Sequence, residues 1–377
     1  MALSTPIIID LGSYEIKTGY RSTNNNFPST RFLSYIGEPK YDKILRSINL
    51  QKTKKREQLV GDNCSPYLGI VKLRYPIKHG SFTNERDISL IFNHIFTKLG
   101  LESDEIPNHP LLITEPILNP RNNREKISEI LFEKYGVSNL VFANQPSLSL
   151  FSLSSTTGAV LESGEGVSQI CCIFDGYAMP NSFMRSNFGG GDVNYYLGQL
   201  LKMKGFEFLS DTEKLILHEI KKKCSLQVEE NKEVENKSTP YKLPDSNELF
   251  LDHKDFDAVK VVFNPSLVGK NCLGLHQMIA TSIEKVNLDL RERLYSNIKL
   301  TGGNSLIQNL AQVIHTELQS LLTTYKVINA RVHSINCTIS NWNGGNIVSS
   351  LDIFNNLLIS RKEWEEKGKD IVHKKTF

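Results

Sequence analysis

This 377-residue sequence has few cysteines, no long apolar run and no surplus of either charge, and each shortage excludes a class of protein. The six cysteines are scattered, without the paired spacing of a zinc site or a disulfide framework, so we expect reduced thiols in the cytosol or nucleus. No run of about eighteen apolar residues occurs and the first residues lack a basic segment, so we expect neither a membrane span nor a secretory signal.

Charge is balanced across the sequence. Lysine and arginine number 44 against 41 aspartates and glutamates, which gives a formal net charge of +3. Neutralising the phosphates of a nucleic acid needs a concentrated basic face, so we expect no direct nucleic-acid partner. Two local charge runs, 40–56 and 229–240, are expected to be solvated surface loops, with a specific binding patch as the alternative.

Two segments of the same design predict an internal duplication in a chain long enough for two domains or one large α/β unit. In residues 6–20 an apolar strand, a turn at Gly12-Ser13 and a second strand indicate a β-hairpin. In residues 158–174 two apolar strands flank a glycine-rich turn at 163–166. We expect a ligand to be held between the two halves.

Apolar periodicity predicts amphipathic helices at 87–99 and 123–135. A third helical run, 306–318, follows an apolar strand and the glycines of 300–305. Glycines at a helix N-terminus suit an anion or a nucleobase, so this segment is a further candidate for ligand binding.

The two glycine turns have the chemistry of a phosphate clamp. Without Cβ atoms, Gly12 and the turn 164–166 let a phosphate approach backbone N–H groups closely. Asp10 and Glu162 each end the strand before a turn, where a carboxylate can hold the waters of a Mg²⁺ that arrives with the phosphates. A diphosphate and metal site is therefore predicted, with a plain hairpin as the alternative for either turn alone.

The order of short motifs along the chain resembles that of the actin family from end to end. The runs 60–62 and 73–80 are similar to the family's sequence between its first two subdomains. Further similar motifs follow in family order at His109–Glu115, Leu118–Pro120, Asn123–Lys126, Thr156–Gly158, Gly176–Ala178, Leu243–Asp245, Trp342 with Gly344–Gly345, and His373–Phe377.

This resemblance implies an α/β, actin-like ATPase fold, with two related domains (four subdomains) around a cleft that holds ATP and Mg²⁺. It implies a large domain at 1–152, with 33–77 as its second subdomain. It also implies a small domain at 153–338, with 189–270 as its fourth subdomain, and a return of 339–377 to the large domain.

The family's nucleotide-binding positions carry over one by one, as the resemblance implies. The first phosphate loop is matched by Asp10, Gly12, Ser13, Tyr14 and Lys17, the second by Gly164, Glu165, Gly166 and Val167, nucleoside contacts by Gly190 and Lys221, and the adenosine loop by Gly302, Gly303 and Asn304.

The catalytic positions depart from the family. Gln145 matches the glutamine that positions the attacking water, but Gln169 replaces the histidine that helps to order it. Glu162 replaces an aspartate and with Asp10 makes the implied metal pair. One added methylene displaces a metal–water contact, and such shifts cost about a hundredfold in rate. We expect ATP binding with slow hydrolysis at most, which leaves open whether the protein is an enzyme.

The surface departs from the family as well. Residues 1–6 carry no charged side chain and Asn24–Asn26 replace acidic residues, so we expect no myosin partner. The pole-inserting loop is basic at 52–56, and Lys270 adds a charge at the tip of the plug, 267–271. Because an unpaired buried charge is costly, we expect short, capped filaments of this chain with itself.

Three functions remain open. The compact length favours a filament subunit of dynactin, located in the cytoplasm and cytoskeleton and reaching dynein through the other dynactin subunits. A subunit of a nuclear chromatin-remodelling complex is the main alternative, favoured by Ser13-Tyr14-Glu15 and the weakened catalytic positions. A sugar kinase of the same superfamily is third, since the ordered motifs do not belong to a sugar pocket.

Overall fold

The structure is a computed structural model of the chain. It describes residues 4–24, 26–40, 58–223, 239–243, 246–323, 330–335 and 338–375. Several segments discussed above lie outside the described residues: Met1–Leu3, Asn25, Lys52–Arg56, 229–238, Pro244–Asp245, Cys224, Cys337 and Phe377.

The strands include both predicted hairpins. In chain order they are β1 Ile7–Leu11, β2 Glu15–Tyr20, β3 Thr30–Leu33, β4 Ile36–Pro39, β5 Leu59–Val60, β6 Val71–Arg74, β7 Ile77–Lys78, β8 Ser81–Phe82, β9 Leu111–Glu115, β10 Asn139–Asn144, β11 Gly158–Ser163, β12 Ser168–Phe174, β13 Tyr177–Ala178, β14 Met184–Ser186, β15 Thr239–Lys242, β16 Glu248–Leu251, β17 Ile298–Thr301, β18 Val332–Ser334 and β19 Ile359–Ser360.

The α-helices lie mostly between the strands. They are α1 Glu85–Lys98, α2 Arg121–Glu129, α3 Gln145–Phe151, α4 Gly190–Met203, α5 Asp211–Lys223, α6 His253–Phe256, α7 Leu275–Glu284, α8 Leu288–Tyr295, α9 Leu310–Thr323, α10 Ser340–Val348, α11 Phe354–Leu357, α12 Arg361–Lys367 and α13 Ile371–Lys374.

The predicted helices at 87–99 and 123–135 are confirmed as α1 and as α2 with a π-helical continuation, Ile130–Lys134. The third helix begins later than predicted. Gly303–Leu306 form a 3₁₀ turn and Asn309 has a φ of 62°, so the α-helical hydrogen bonds start only in α9. Gly302 therefore precedes a 3₁₀ turn and Gly303 begins it, so neither glycine lies at the N-terminus of an α-helix.

The chain divides into two compact units, 1–156 with 339–377, and 157–338. In the first unit the sheet has the strand order β19-β10-β9-β1-β2-β3. The hairpin strands β1 and β2 are antiparallel, whereas β1 runs parallel to β9 and β9 parallel to β10.

The second unit repeats this topology. Its sheet has the order β13-β12-β11-β17-β18, and β14 also pairs with β12. The hairpin β11–β12 is antiparallel, while β11, β17 and β18 run parallel. The strands β10-β9-β1-β2-β3 of the first unit and β18-β17-β11-β12-β14 of the second therefore have the same order along the chain and the same relative directions. This match confirms the predicted duplication.

Each sheet is held by an apolar core on its own unit. Ile7 and Ile9 of β1 pack into one cluster with Phe92 of α1, and Ile8 faces the opposite cluster with Leu148 and Trp342. Alternate burial on both faces is what a strand covered on each side requires, because successive side chains point in opposite directions. The strand ends that carry the turns are fixed by this packing.

The apolar run in β12 contains Cys171 and Cys172, which are buried free thiols, as predicted. Burial raises the pKa of Cys172 to about 11, so this thiol stays protonated at neutral pH. No helix within the described ranges is both long and apolar enough to cross a lipid bilayer.

Candidate functional site

The first hairpin holds a buried ion pair at its turn. Asp10 lies opposite Lys17 in the β1–β2 register, and the Lys17 Nζ is 3.2 Å from the Asp10 Oδ2. Asp10 is 2% exposed and Lys17 8% exposed. Breaking a buried ion pair by removing one partner is costly, so Lys17 stabilises the Asp10 carboxylate at the end of its strand.

Two neighbouring elements complete the environment of Asp10. Thr114 lies beside it in the parallel β1–β9 register, and its hydroxyl donates to the Asp10 Oδ1 at 2.5 Å. Gln145, the first residue of α3, donates from Nε2 to the same oxygen at 3.3 Å and to the Thr114 Oγ1 at 3.3 Å. The structure thus brings together Asp10, Lys17 and Gln145, which the sequence had singled out, and adds Thr114, for which only the strand register gives a signal.

The turn after β1 is shaped by its own backbone. A Cβ atom on Gly12 would lie 2.3 Å from the carbonyl oxygen of Glu15, so only glycine fits this turn. The next residue, Ser13, accepts a hydrogen bond from the Gly80 N–H at 3.2 Å. The predicted phosphate turn is therefore closely packed by the protein's own atoms.

The second hairpin places a different pair at the equivalent position. Glu162 lies opposite Gln169 in the β11–β12 register, and the Gln169 Nε2 donates to the Glu162 Oε2 at 3.0 Å. Both side chains are buried. An amide satisfies a carboxylate oxygen but does not neutralise its charge, so this hydrogen bond leaves the negative charge of Glu162 in place.

The second turn docks on the N-terminus of α4. The Gly190 N–H donates to the Gly164 carbonyl oxygen at 2.8 Å and the Gly191 N–H to the Glu165 carbonyl oxygen at 2.9 Å. A Cβ atom on Gly164 would meet only the Val167 carbonyl oxygen, at 3.5 Å, which is an ordinary contact. The space beside Gly164 is thus open to an approaching group.

Polar side chains of α4 and α5 surround Glu165. Lys221 donates from Nζ to the Gly190 carbonyl oxygen at 2.9 Å and lies 3.7 Å from the Glu165 Oε2. His218 Nδ1 lies 3.8 Å from the same oxygen, and Asn194 donates to the Glu165 Oε1 at 3.3 Å. The sequence analysis missed His218 and Asn194; the three-residue spacing of His218 and Lys221, which puts them on one helix face, was the available signal.

Burial controls the charges of this cluster. It lowers the pKa of His218 to about 2, with the nearby Lys221 and Lys222 adding to the effect, so the imidazole is neutral at neutral pH. Burial also lowers the pKa of Lys221, while Glu165 opposes that shift. The cluster therefore contains one acidic side chain, one basic side chain and a neutral imidazole.

The glycine loop after β17 packs on the second turn. Asn304 donates from Nδ2 to the Ser163 Oγ at 2.8 Å and to the Gly164 carbonyl oxygen at 3.1 Å. Gly302 has a φ of 88°, and a Cβ there would lie 2.5 Å from the Ser163 carbonyl oxygen. Next to it, a Cβ on Gly303 would meet no atom within 4 Å, so that side of the loop is open.

The residues present suit a phosphate and a divalent metal. The backbone N–H groups of glycines with open space beside them are typical donors to phosphate oxygens. The ammonium of Lys17 supplies positive charge of the kind that phosphates attract. Within the described part of the chain, no three histidine, cysteine, aspartate or glutamate side chains cluster to hold a metal by themselves. Mg²⁺ commonly uses one or two carboxylates together with phosphates and waters, and each unit has one buried carboxylate before its turn, Asp10 in the first and Glu162 in the second.

The chain thus has a duplicated α/β fold in which each half carries a buried carboxylate before a glycine turn. The chain matches the family model described as Actin over residues 2–377, so it belongs to the actin family. The predicted actin-like ATPase fold is thereby confirmed. Proteins of this fold generally bind ATP with a divalent metal.

Proposed function

We propose that this actin-family protein is an ATP-binding structural subunit that assembles with copies of itself and with partner proteins. The observation that carries the proposal is that each unit has a buried carboxylate followed by a glycine turn. The turn at Gly12 is tightly packed, and the turn at Gly164 has open space beside it. Bound Mg²⁺ would supply positive charge that offsets the phosphates, held through water by Asp10 and Glu162.

In the first unit, the ion pair with Asp10 keeps the Lys17 ammonium at the turn, where it balances phosphate charge. Gly12, Ser13 and Tyr14 would offer backbone N–H groups to the phosphate. Gln145 would orient the attacking water, because its amide is already positioned by Asp10 and Thr114.

In the second unit, the open turn is the second phosphate contact and its neighbours bind the nucleoside. The phosphate contacts are Gly164, Glu165, Gly166 and Val167, and the nucleoside contacts are Gly190, Lys221, Gly302, Gly303 and Asn304. A Cβ on Gly190 would crowd the Asn304 Oδ1 at 2.8 Å and the Lys221 Nζ at 3.0 Å, so glycine at this position lets the other two proposed contacts lie close together.

Substituting Gly164 tests nucleotide binding. We expect Gly164→Val to fold normally, because a Cβ fits there, but to lose ATP affinity because the side chain fills the phosphate position. Binding of a fluorescent ATP analogue in the presence of Mg²⁺ measures the change. Gly12 is unsuitable for this test, since any Cβ there collides with the backbone.

The matched control is Gly69→Val, where a Cβ meets no atom within 4 Å and the turn lies outside both phosphate loops. It should keep the affinity of the parent protein. If Gly164→Val binds the analogue as tightly as Gly69→Val does, the second turn is not a phosphate contact.

For the assembly we propose a divergent relative of centractin, the filament subunit of dynactin, acting in dynein-driven microtubule transport in the cytoplasm. The compact length supports this choice. The structure corrects one expectation about the plug: Lys270 is not an uncompensated charge, because its Nζ lies 2.8 Å from the Asp192 Oδ1 and donates to the Asn187 carbonyl oxygen at 2.6 Å. The cost of an unpaired plug charge is therefore not a reason for short filaments.

Partner identification distinguishes this proposal from its alternative. We expect a tagged chain to purify with dynactin subunits and to form short filaments under negative-stain electron microscopy. Recovery of a chromatin-remodelling ATPase instead, with the purified chain monomeric at high concentration, would support the nuclear alternative. Micrometre-long filaments that co-sediment with myosin would contradict both.

A further inference from the structure

A cavity of about 580 Å³ opens on the second unit, and no residue of the second glycine turn lines it. The segment 263–272 forms one wall, and His276 of α7 and Glu317 of α9 form the other. Ligand pockets typically measure about 300–1,000 Å³, so the cavity has room for a side chain and its flanking backbone. Neither the proposed nucleotide contacts nor the metal carboxylates line it.

The charge of the cavity wall is negative. Among the described residues that line it, Lys270 is the one lysine or arginine, and its ammonium is paired with Asp192 of the same unit. The Glu317 carboxylate makes no hydrogen bond or ion pair with any described residue. Burial lowers the pKa of His276, an effect that Glu317 opposes only in part, so the imidazole adds no positive charge at neutral pH.

The cavity also offers flat aromatic surface. Phe263 and His276 both line it, with ring centroids 5.8 Å apart and ring planes at 41°. A planar guanidinium stacks on aromatic faces and pairs with a carboxylate through two N–H groups, whereas a compact ammonium does neither as well. Asn271 adds a side-chain amide that makes no hydrogen bond with any described residue.

We propose that this cavity binds the guanidinium of an arginine side chain supplied by a partner protein. The Glu317 carboxylate forms an ion pair with the guanidinium, and the rings of Phe263 and His276 stack against its planar face. The Asn271 amide oxygen accepts a hydrogen bond from a further guanidinium N–H. An anion at the N-terminus of α7 is disfavoured, because the Gln277 Oε1 already accepts from the Gly274 N–H at 3.0 Å and Glu317 repels negative charge.

The thiol of Cys272 provides a reporter inside the cavity. It is partly exposed and lines the cavity, whereas Cys64, Cys171 and Cys172 are buried. In a parent protein carrying Cys224→Ser and Cys337→Ser, the rate of reaction with a chromogenic disulfide reagent reports on occupancy. ATP and Mg²⁺ are kept constant in every arm, so the outcome does not depend on nucleotide binding.

Three acetylated, amidated tripeptides serve as probes, with arginine, its neutral analogue citrulline, or glutamate at the centre. We expect the arginine peptide to slow the reaction in a saturable way, by about fourfold at three times its dissociation constant, because only the free protein reacts. Citrulline, which has the same shape without the charge, and glutamate should give little protection.

The variant Glu317→Gln keeps the size of the side chain and should abolish protection by the arginine peptide. The control Glu292→Gln removes an exposed carboxylate from α8, outside the cavity, and should leave protection intact. Equal protection by citrulline, protection by glutamate, no protection by arginine, or full protection in Glu317→Gln would each overturn the proposal. Unfolding temperatures of both variants exclude a folding defect as the cause.

Discussion

The two hairpins occupy equivalent places in their sheets, yet their buried carboxylates are compensated in different ways. Asp10 is paired with the ammonium of Lys17, whereas Glu162 receives the amide of Gln169. An ammonium neutralises the carboxylate and an amide does not. The duplicated topology therefore fixes where a carboxylate lies, while the residue opposite it in the register, lysine in one hairpin and glutamine in the other, differs between the halves.

The turns themselves differ in a second respect. The first is closed by its own backbone around Gly12, and the second is held from outside by α4 and by Asn304, with open space beside Gly164. A turn that depends on its own glycine tolerates no side chain, whereas a docked turn tolerates one. The second turn is thus the better place to disturb ligand binding without disturbing the fold.

The largest expected effect is on protein stability, and it differs according to which buried carboxylate loses its partner. Lys17→Met leaves Asp10 buried without its cation and should lower the free energy of unfolding by about 3–5 kcal/mol. Gln169→Leu removes a neutral donor and should lower it by about 1–3 kcal/mol. Denaturant unfolding of both variants at one nucleotide concentration measures the difference.

A double variant sharpens this comparison. Adding Asp10→Asn to Lys17→Met removes both charges and should recover part of the lost unfolding free energy. Removing both members of a buried ion pair destabilises a protein less than removing one and leaving the other charge unpaired. Equal losses in Lys17→Met and Gln169→Leu would show that the cation does not set the two hairpins apart.

A smaller effect is expected on ATP hydrolysis. Replacing the pair in the second hairpin by Glu162→Asp with Gln169→His shortens the carboxylate and provides an imidazole that can order water. We expect phosphate release to accelerate by up to about a hundredfold, the scale of a misplaced catalytic contact. Single-turnover measurements with bound ATP report the rate.

Each single variant serves as a control for the double one. Because Gln169 and Glu162 are hydrogen-bonded, neither substitution alone should recover the full acceleration. A parent protein that already hydrolyses ATP rapidly, or a double variant with an unchanged rate, contradicts the proposed reason for slow turnover.

The smallest effect concerns pH and the contacts of the second turn. The folded-state pKa of His218 is about 2, below its usual value of 6.5, so below pH 6.5 the unfolded chain binds a proton that the folded chain does not. His218 therefore reduces stability as pH falls from 6.5, by up to about 1.4 kcal/mol per pH unit, and has no effect above that range.

His218→Gln should flatten this acid dependence while leaving the curve above pH 7 parallel to that of the parent protein. Thermal unfolding between pH 4.5 and 8 would reveal the difference. If the unfolding temperature falls equally steeply below pH 6.5 with and without His218, this imidazole is protonated in the folded protein. That result would contradict its burial beside Asn194 and Lys221.

The local pattern of the sequence was sufficient for both hairpins and for two of the helices, α1 and α2. Strand periodicity and a glycine turn are local properties, so residues 6–20 and 158–174 could be recognised without any contact between distant residues. The order of actin-like motifs then singled out Asp10, Lys17, Gln145 and the other positions that we propose as nucleotide contacts, and the family match agrees with that resemblance.

Other features were decided only by tertiary structure. Thr114 reaches Asp10 because β9 lies beside β1 in parallel register, and Lys270 meets Asp192 because the plug loop folds back onto α4. Likewise the start of α9 at Leu310 depends on a 3₁₀ turn and on the positive φ of Asn309. Sequence periodicity records which face of an element is buried, but pairing of polar groups depends on which distant element is packed against that face, and that information exists only in the folded chain.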